Sequence, residues 1–331
     1  MDTFKALLLE QPDGLLQASI KQLPLSALPA GEVLVAIAYA SLNYKDGLAL
    51  TGKGKIARHY PLIPGVDFAG TVKESQVATF KPGDQVILTG WGVGERHWGG
   101  FAQLARVKAE WLLPLPKGLS LQQAMGFGSA GFTAMQCVLA LEEHGLTPGE
   151  REVVVTGAAG GVGSCAVALL AQRGYNVVAS TGRPSTHPYL RELGAKAFLA
   201  REVLASQKRP LESERWAGAV DTVGGTTLAG LLSTMTHGSS IAVCGLAGGS
   251  GLETTVFPFI LRGVNLLGID SVMCPFPRRQ IIWERLAQDF PLELLAKMTQ
   301  IAPLESLLGL AKTIVDGQIQ GRIIVDVNAE G

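Results

Sequence analysis

Cysteine is scarce and scattered in this chain. Cys137, Cys165, Cys244 and Cys274 lie far apart, none forms a C-x-x-C pair, and three sit in apolar runs. That excludes a disulfide framework and points to a reduced, cytoplasmic protein. The five histidines, His59, His97, His144, His187 and His237, show no metal-ligand spacing, so no metal is expected. Net charge is absent as well: 28 Lys plus Arg stand against 28 Asp plus Glu. The balance argues against nucleic acid or a membrane surface as a general partner. No uninterrupted apolar run approaches the ~18 residues of a membrane span. The opening stretch, Met1 to Glu10, is interrupted too early to read as a signal peptide.

What is present is ample core-forming material. The chain has 331 residues, 47% hydrophobic and 17% charged, enough for two domains. Residues 1–128 carry short strand-like runs broken by Pro and Gly: Ala6–Leu9, Val33–Tyr39, Phe68–Val72, Gln85–Leu88 and Phe101–Arg106. From Ser129 the pattern becomes α/β. A helix is expected from Ser129 to His144, followed by strands at Val153–Thr156, Val177–Ser180, Ala197–Leu199, Ala219–Val223, Ser240–Cys244 and Asn265–Ile269. Six strands with intervening helices fit a doubly wound parallel sheet over 129–268. A helix is also expected from Ser185 to Leu193, closed by Gly194. Residues 269–331 return to mixed character, end in a strand at Arg322–Val327, and complete the first domain.

The chain is organised around residues 152–183. A β-branched strand breaks into Gly157-Ala158-Ala159-Gly160-Gly161-Val162-Gly163, opens an apolar helix that closes at Gly174, and leads to a second β-branched strand. This strand–turn–helix–strand unit holds a dinucleotide pyrophosphate. Gly160 leaves room for phosphate, Gly163 lets the helix pack against the strand, and the helix start faces the anion. Ala159, Gly160, Gly161 and Val162 are therefore candidate cofactor-binding residues. An NAD site places Asp or Glu about 20 residues beyond the motif. Here Ser180, Thr181, Gly182 and Arg183 stand instead: hydroxyls and a guanidinium suited to a 2′-phosphate, so NADPH is the expected cofactor. Arg183 also suits a solvated turn charge.

Further stretches carry a resemblance. They are Ser41-Leu42-Asn43-Tyr44-Lys45-Asp46, Ile63-Pro64-Gly65-Val66-Asp67-Phe68-Ala69-Gly70, Leu88-Thr89-Gly90-Trp91-Gly92-Val93-Gly94, His97-Trp98-Gly99-Gly100, the segments 180–187 and 216–224, and Gln318-Ile319-Gln320-Gly321-Arg322. Together they resemble the zinc-independent medium-chain dehydrogenase/reductases of the quinone oxidoreductase group, and within it the bacterial NADPH-dependent acryloyl-CoA reductases. The resemblance implies a GroES-like catalytic domain (1–128), an inserted Rossmann domain (129–268) and a return to the catalytic domain (269–331). It implies Gly245, Leu246 and Ser271 at the nicotinamide, Arg322 reaching toward the cofactor, and a homodimer paired along the edge strand Asn265–Ile269. Arg322 also suits a surface strand charge.

Zinc-dependent relatives carry Gly-His-Glu where this chain has Gly65-Val66-Asp67, and a cysteine near Ser41-Leu42-Asn43 that is missing here. Lacking these ligands, the site favours a conjugated acceptor, whose β-carbon is already electrophilic and whose developing oxyanion needs only preorganised donors. The best donors lie on Asn43–Asp46, which by resemblance faces the nicotinamide: Tyr44 is expected to touch the cofactor or substrate, Asn43 to orient or stabilise the oxyanion, and Asp46, paired with Lys45, to support the loop. Asn43 and Asp46 equally suit a plain helix cap. Lys53, Lys55 and Arg58 lie on a glycine-bearing basic loop that suits either the phosphates of coenzyme A or a solvated surface. The expected activity is reduction of acryloyl-CoA to propanoyl-CoA. A quinone or enone reductase is the alternative, and a non-catalytic NADPH-binding protein the second alternative.

Overall fold

A computed structural model of the chain describes residues 3–206 and 209–330; Met1 and Asp2 of the opening stretch, and the last residue, Gly331, lie outside it. Two compact units are present. One takes the described residues up to Ser129, Val272–Ala287 and those from Leu295 onward; the other takes Ala130–Ser271 and Gln288–Leu294. The junctions lie one and three residues from those expected, and Gln288–Leu294 falls in the second unit rather than the first.

The amino-terminal part gives β1 (Thr3–Glu10), β2 (Gln17–Pro24), β3 (Val33–Leu42), α1 (Tyr44–Thr51), β4 (Asp67–Ser75), β5 (Gln85–Thr89), β6 (Leu104–Val107) and β7 (Leu113–Pro114). β1 and β2 form an antiparallel pair. β3 is the spine of the larger sheet, pairing antiparallel with β4 and β6. The strand expected from Phe101 begins only at Leu104, because Phe101 hands its carbonyl to Leu7 N–H at 2.9 Å instead. β2 is not among the expected strands. Its sequence is half polar and its residues are mostly half-buried or exposed, so it carries little apolar signal.

α2 (Leu121–Glu143) runs through the junction and starts eight residues before the expected Ser129. Its length and hydropathy of 1.4 would suit a membrane span, but 83% of the apolar window is buried by the protein itself, as in a core helix. It is kinked at Gly128, where φ is 51° and ψ −154°.

The second unit contains β8 (Gly149–Val155), α3 (Gly161–Gln172), β9 (Tyr175–Thr181), α4 (His187–Glu192), β10 (Ala197–Ala200), α5 (Arg201–Ala205), β11 (Trp216–Asp221), α6 (Gly225–Thr234), β12 (Met235–Val243), α7 (Phe257–Arg262) and β13 (Asn265–Gly268). The sheet is parallel in the order β10-β9-β8-β11-β12-β13, the doubly wound order expected for a dinucleotide fold. Val153, Val154 and Val155 on the central β8 are fully buried, each worth roughly 1.5–3 kcal/mol of hydrophobic stabilisation. β11 ends two residues earlier than expected, because the Asp221 carboxylate accepts from Gly224 N–H at 2.8 Å and turns the chain there.

α8 (Phe276–Asp289), α9 (Leu292–Met298), β14 (Thr299–Pro303), α10 (Leu307–Val315) and β15 (Arg322–Asp326) close the chain. β15 pairs antiparallel with β3 and parallel with β14, so the carboxy-terminal strand completes the first unit's sheet.

Candidate active site

In the second unit the dinucleotide turn lies between β8 and α3. Gly157 has a φ of +57°, and a side chain there would strike the Thr222 hydroxyl. A Cβ on Gly163 would come within 2.7 Å of the Ala158 Cα, so glycine is what lets α3 begin tight against the turn. Gly160 caps α3 in extended backbone without any side-chain cap. The first N–H groups of the helix are thus left to an incoming anion. Ala159, Gly160, Gly161 and Val162 are the turn and first residues of this helix. Thr156 donates its hydroxyl to Asp221 at 2.6 Å, tying the end of β8 to the end of β11. Burial raises the Asp221 carboxyl above the usual range.

Ser180, Thr181, Gly182 and Arg183 follow at the end of β9. The Ser180 hydroxyl is fully buried and has no hydrogen-bond partner among the described residues. Thr181 Oγ1 accepts Arg183 N–H at 3.1 Å, and Thr186 Oγ1 donates to the Arg183 carbonyl at 2.7 Å, which pins the turn. Burial lowers the pKa of the half-buried Arg183 guanidinium. A Cβ on Gly182 would lie 2.8 Å from Arg201 Nε and 3.0 Å from its Cζ, so a second guanidinium lies across this turn. An orphaned buried hydroxyl, arginines and the lack of a carboxylate at 180–183 fit a phosphomonoester.

In the first unit, β3 delivers Ser41, Leu42 and Asn43 to the start of α1. Asp67, fully buried at the head of β4, accepts from Ser41 N–H at 2.9 Å, the Ser41 hydroxyl at 2.8 Å, Asn43 Nδ2 at 2.9 Å and Ser129 N–H at 2.7 Å. Arg322, only 2% exposed, donates to Ser41 Oγ at 2.7 Å, Asn43 Oδ1 at 3.3 Å and the Gly126 carbonyl at 3.1 Å. The Asn43 carboxamide is therefore turned inward, its N–H groups held by Asp67 and Ser41. Asp46 accepts from Asn43 N–H at 2.9 Å and from Val66 N–H at 3.1 Å. Burial, joined by the charge of Asp67, pushes its carboxyl up to about 7. Lys45 does not pair with Asp46. It reaches Glu95 at 2.8 Å, because Asp46 points back over the helix start while its neighbour points to another side. Tyr44 is half-buried, and among the described residues its hydroxyl takes no hydrogen bond from the chain, which leaves it available to a ligand.

Asp67 and Arg322 organise this cluster. Arg322 was marked by the sequence for the cofactor, and Asp67 stood only in the segment that replaces Gly-His-Glu, with no role given to it. An acidic residue beginning a strand after Gly-Val gives no period or spacing that singles it out. Arg279, fully buried on α8, was not marked at all; it donates to the Thr89 carbonyl at 2.7 Å and lies 4.8 Å from the Trp91 ring centroid. Trp91 itself stands at φ 56° between two left-handed glycines, Gly90 and Gly92. A bulky residue in that region is strained, and here the Arg279 contact and the Trp91 N–H bond to Val272 hold it.

Lys53, Lys55 and Arg58 are exposed; Lys53 lies 3.4 Å from Asp316 in a surface ion pair. Gly245 is half-buried and Leu246 exposed beyond the end of β12, and Ser271 is half-buried beyond β13. Among the described residues no group of three or more His, Cys, Asp or Glu side chains could hold a metal ion.

Residues 29–117 match the alcohol dehydrogenase GroES-like domain and residues 161–287 the zinc-binding dehydrogenase domain. An acrylyl-CoA reductase of Ruegeria pomeroyi is 57% identical over 329 residues, covering 98% of this chain and all of the relative. The chain belongs to the medium-chain dehydrogenase/reductase family. Within that family, the crystal structure of Escherichia coli YhdH with bound NADPH superposes with a TM-score of 0.96 at 55% identity, over 98% of this chain and all of that one. Bacillus subtilis YhfP with NAD bound follows at a TM-score of 0.94 and 46% identity, over 99% of this chain and all of that one. In a family whose second domain bears a zinc-binding name, Val66 brings no donor atom to its position and its backbone N–H serves Asp46.

Proposed function

We propose that the chain is an NADPH-dependent oxidoreductase that reduces the conjugated double bond of acryloyl-CoA to give propanoyl-CoA. The observation that carries this reading is the 57% identity, end to end on both chains, with an acrylyl-CoA reductase. The site chemistry agrees with it. NADPH, when bound, supplies the hydride that the β-carbon of a conjugated thioester accepts. The α3 start binds the pyrophosphate, and Ser180, Thr181 and Arg183 bind the 2′-phosphate. Gly245, Leu246 and Ser271 line the nicotinamide side.

The polar cluster does the remaining work. As charge develops on the thioester oxygen, it needs a donor fixed in advance. Tyr44 Oη is that donor. Asn43, Asp67 and Arg322 are positioning residues: their mutual hydrogen bonds fix the first turn of α1, and with it the Tyr44 ring. Asp46, near neutrality, locks the same turn through Asn43 and Val66. Lys53, Lys55 and Arg58 offer three exposed cations to the phosphates of coenzyme A. The protein acts in the cytoplasm as a homodimer. Support for the dimer comes from β13, an outer strand of the second unit's sheet, and from the apolar residues Ile260, Leu261 and Leu266, which are 68%, 58% and 38% exposed. A second copy paired along this edge would satisfy the free backbone groups and cover the patch.

NADPH oxidation followed with acryloyl-CoA, with benzoquinone and without acceptor tests the reading. The expected outcome is fast turnover with acryloyl-CoA and propanoyl-CoA as the product. A benzoquinone rate above the acryloyl-CoA rate would move the assignment to quinone reduction. Equal rates with and without acceptor would leave only a cofactor-binding protein.

A further inference from the structure

Trp91 is costly to keep where it stands. Its φ of 56° is a left-handed conformation that a bulky side chain adopts only under strain, and Gly90 and Gly92 on either side both stand at φ 77°. Its indole Nε1–H is buried and has no hydrogen-bond partner among the described residues, which is a second cost. An asparagine would accept the same backbone with less strain. The ring is nevertheless held firmly. The Arg279 guanidinium lies 4.8 Å from its centroid, and that guanidinium is itself fixed by the Thr89 carbonyl at 2.7 Å and the Thr89 hydroxyl at 2.9 Å. The Trp91 N–H donates to the Val272 carbonyl at 2.9 Å. A strained residue that its surroundings fix in this way points to a use for the ring itself.

Two ties bring the loop that carries this ring to the first turn of α1. At one end Asp46 accepts from Val66 N–H at 3.1 Å, and the Val66 carbonyl accepts from Gly90 N–H at 3.1 Å. At the other end Glu95 accepts from Lys45 at 2.8 Å. Residues 90–95 are thus pinned to the two residues that follow Tyr44. Between the ties the Gly92 carbonyl accepts from Glu95 and Arg96 N–H at 3.1 and 2.8 Å, which closes the turn. Glycine permits the close approach, since a Cβ on Gly94 would lie 2.8 Å from the Gly65 carbonyl carbon. Trp91 is half-buried, so part of its ring stays open. We propose that the Trp91 ring is a wall of the acyl pocket and selects a three-carbon enoyl thioester by leaving no room for a substituent on the β-carbon. This inference rests on the acryloyl-CoA reading above. With the thioester oxygen held at Tyr44, the β-carbon falls a short step away. A clamped indole beside it cannot yield to an added methyl as a flexible aliphatic side chain would.

The test compares kcat/KM for acryloyl-CoA and for crotonyl-CoA, which carries one more methyl on the β-carbon, in the wild type, Trp91→Phe and Trp91→Asn proteins. The wild type should prefer acryloyl-CoA by at least about tenfold. Trp91→Phe should narrow the preference, and Trp91→Asn, whose side chain suits the left-handed backbone, should bring the two substrates within about threefold. Both rates are read on one preparation, so a loss of folded protein lowers them alike and leaves their ratio unmoved. KM for NADPH should hold within about twofold. A ratio unchanged in both variants overturns the proposal, as does a wild type that takes both substrates equally well. Loss of both activities in both variants also overturns it, because the ring would then serve the fold or the reaction and not the choice of substrate. A wild type without acryloyl-CoA turnover would overturn the acryloyl-CoA reading, and the wall with it. That failure shows before any variant is made.

Discussion

Asp46 shows how strongly a single buried carboxyl is governed by its surroundings. Its carboxyl rests at about 7 against a starting value of 3.8, chiefly through burial and secondly through Asp67. A folded-state value above the unfolded one means that the native protein holds a proton the unfolded chain has released. The stability this contributes is complete below about 3.8 and is lost as the pH rises through about 7. The wild type should lose up to about 1.4 kcal/mol per pH unit across that window. Asp46→Asn cannot ionise and should flatten that part of the profile. Urea midpoints of both proteins at about pH 5 and about pH 8 check this; a wild-type-to-variant difference that is equal at the two pH values would refute it. Residue types at this scale were only partly legible. Asn43, Tyr44 and Asp46 stood out because their segment matched a family. Asp67 and Arg322 became visible as partners only when strands distant in sequence brought them together.

At the scale of elements, α2 is the informative case. The apolar, helix-favouring run after Ser129 was plain, but the turn before it was not, because Gly126 and Gly128 read as breakers. The helix passes through them with a kink. Gly128 stands at φ 51°, and a Cβ there would lie 2.8 Å from Arg322 Nη2 and 2.9 Å from Asp67 Oδ2. Gly128→Ala should therefore cost at least about 2 kcal/mol of stability and lower turnover with acryloyl-CoA, because the displaced groups are those that hold Asn43. Thermal unfolding and kcat measured together decide it: a variant as stable and as active as the wild type would show that the kink has no hold on the cluster. β2 teaches the converse. It lies in a two-stranded sheet with β1 and little of it is buried, so its strand character comes from the partner and not from its own pattern.

For the molecule as a whole, the proposed assembly turns on the β13 edge. Ile260→Glu combined with Leu266→Glu puts two charges into the apolar patch. If two copies meet there, sedimentation equilibrium at micromolar concentration should show the wild type as a dimer and the double variant as a monomer with an unchanged far-ultraviolet spectrum. A wild-type monomer, or a variant that stays dimeric, would end that assignment. The two compact units were legible from composition, since the strand–helix alternation begins near Ser129. Residues 288–294 were not, because a short polar-apolar segment carries no mark of which core it joins.

The sequence by itself determined the dinucleotide unit. Strand, glycine turn, helix and second strand are contiguous there, and the local geometry follows from the residues: glycines for close approach, an uncapped helix start, hydroxyls and Arg183 in place of a carboxylate. It also determined the loss of the metal ligands, since Val66 offers no donor atom. Only the tertiary structure decided what the polar residues of the first unit do. Asn43 is turned inward by Asp67 and Arg322, and Lys45 is paired with Glu95. Each of these depends on contacts between segments tens to hundreds of residues apart, which chain folding sets and which no local pattern records.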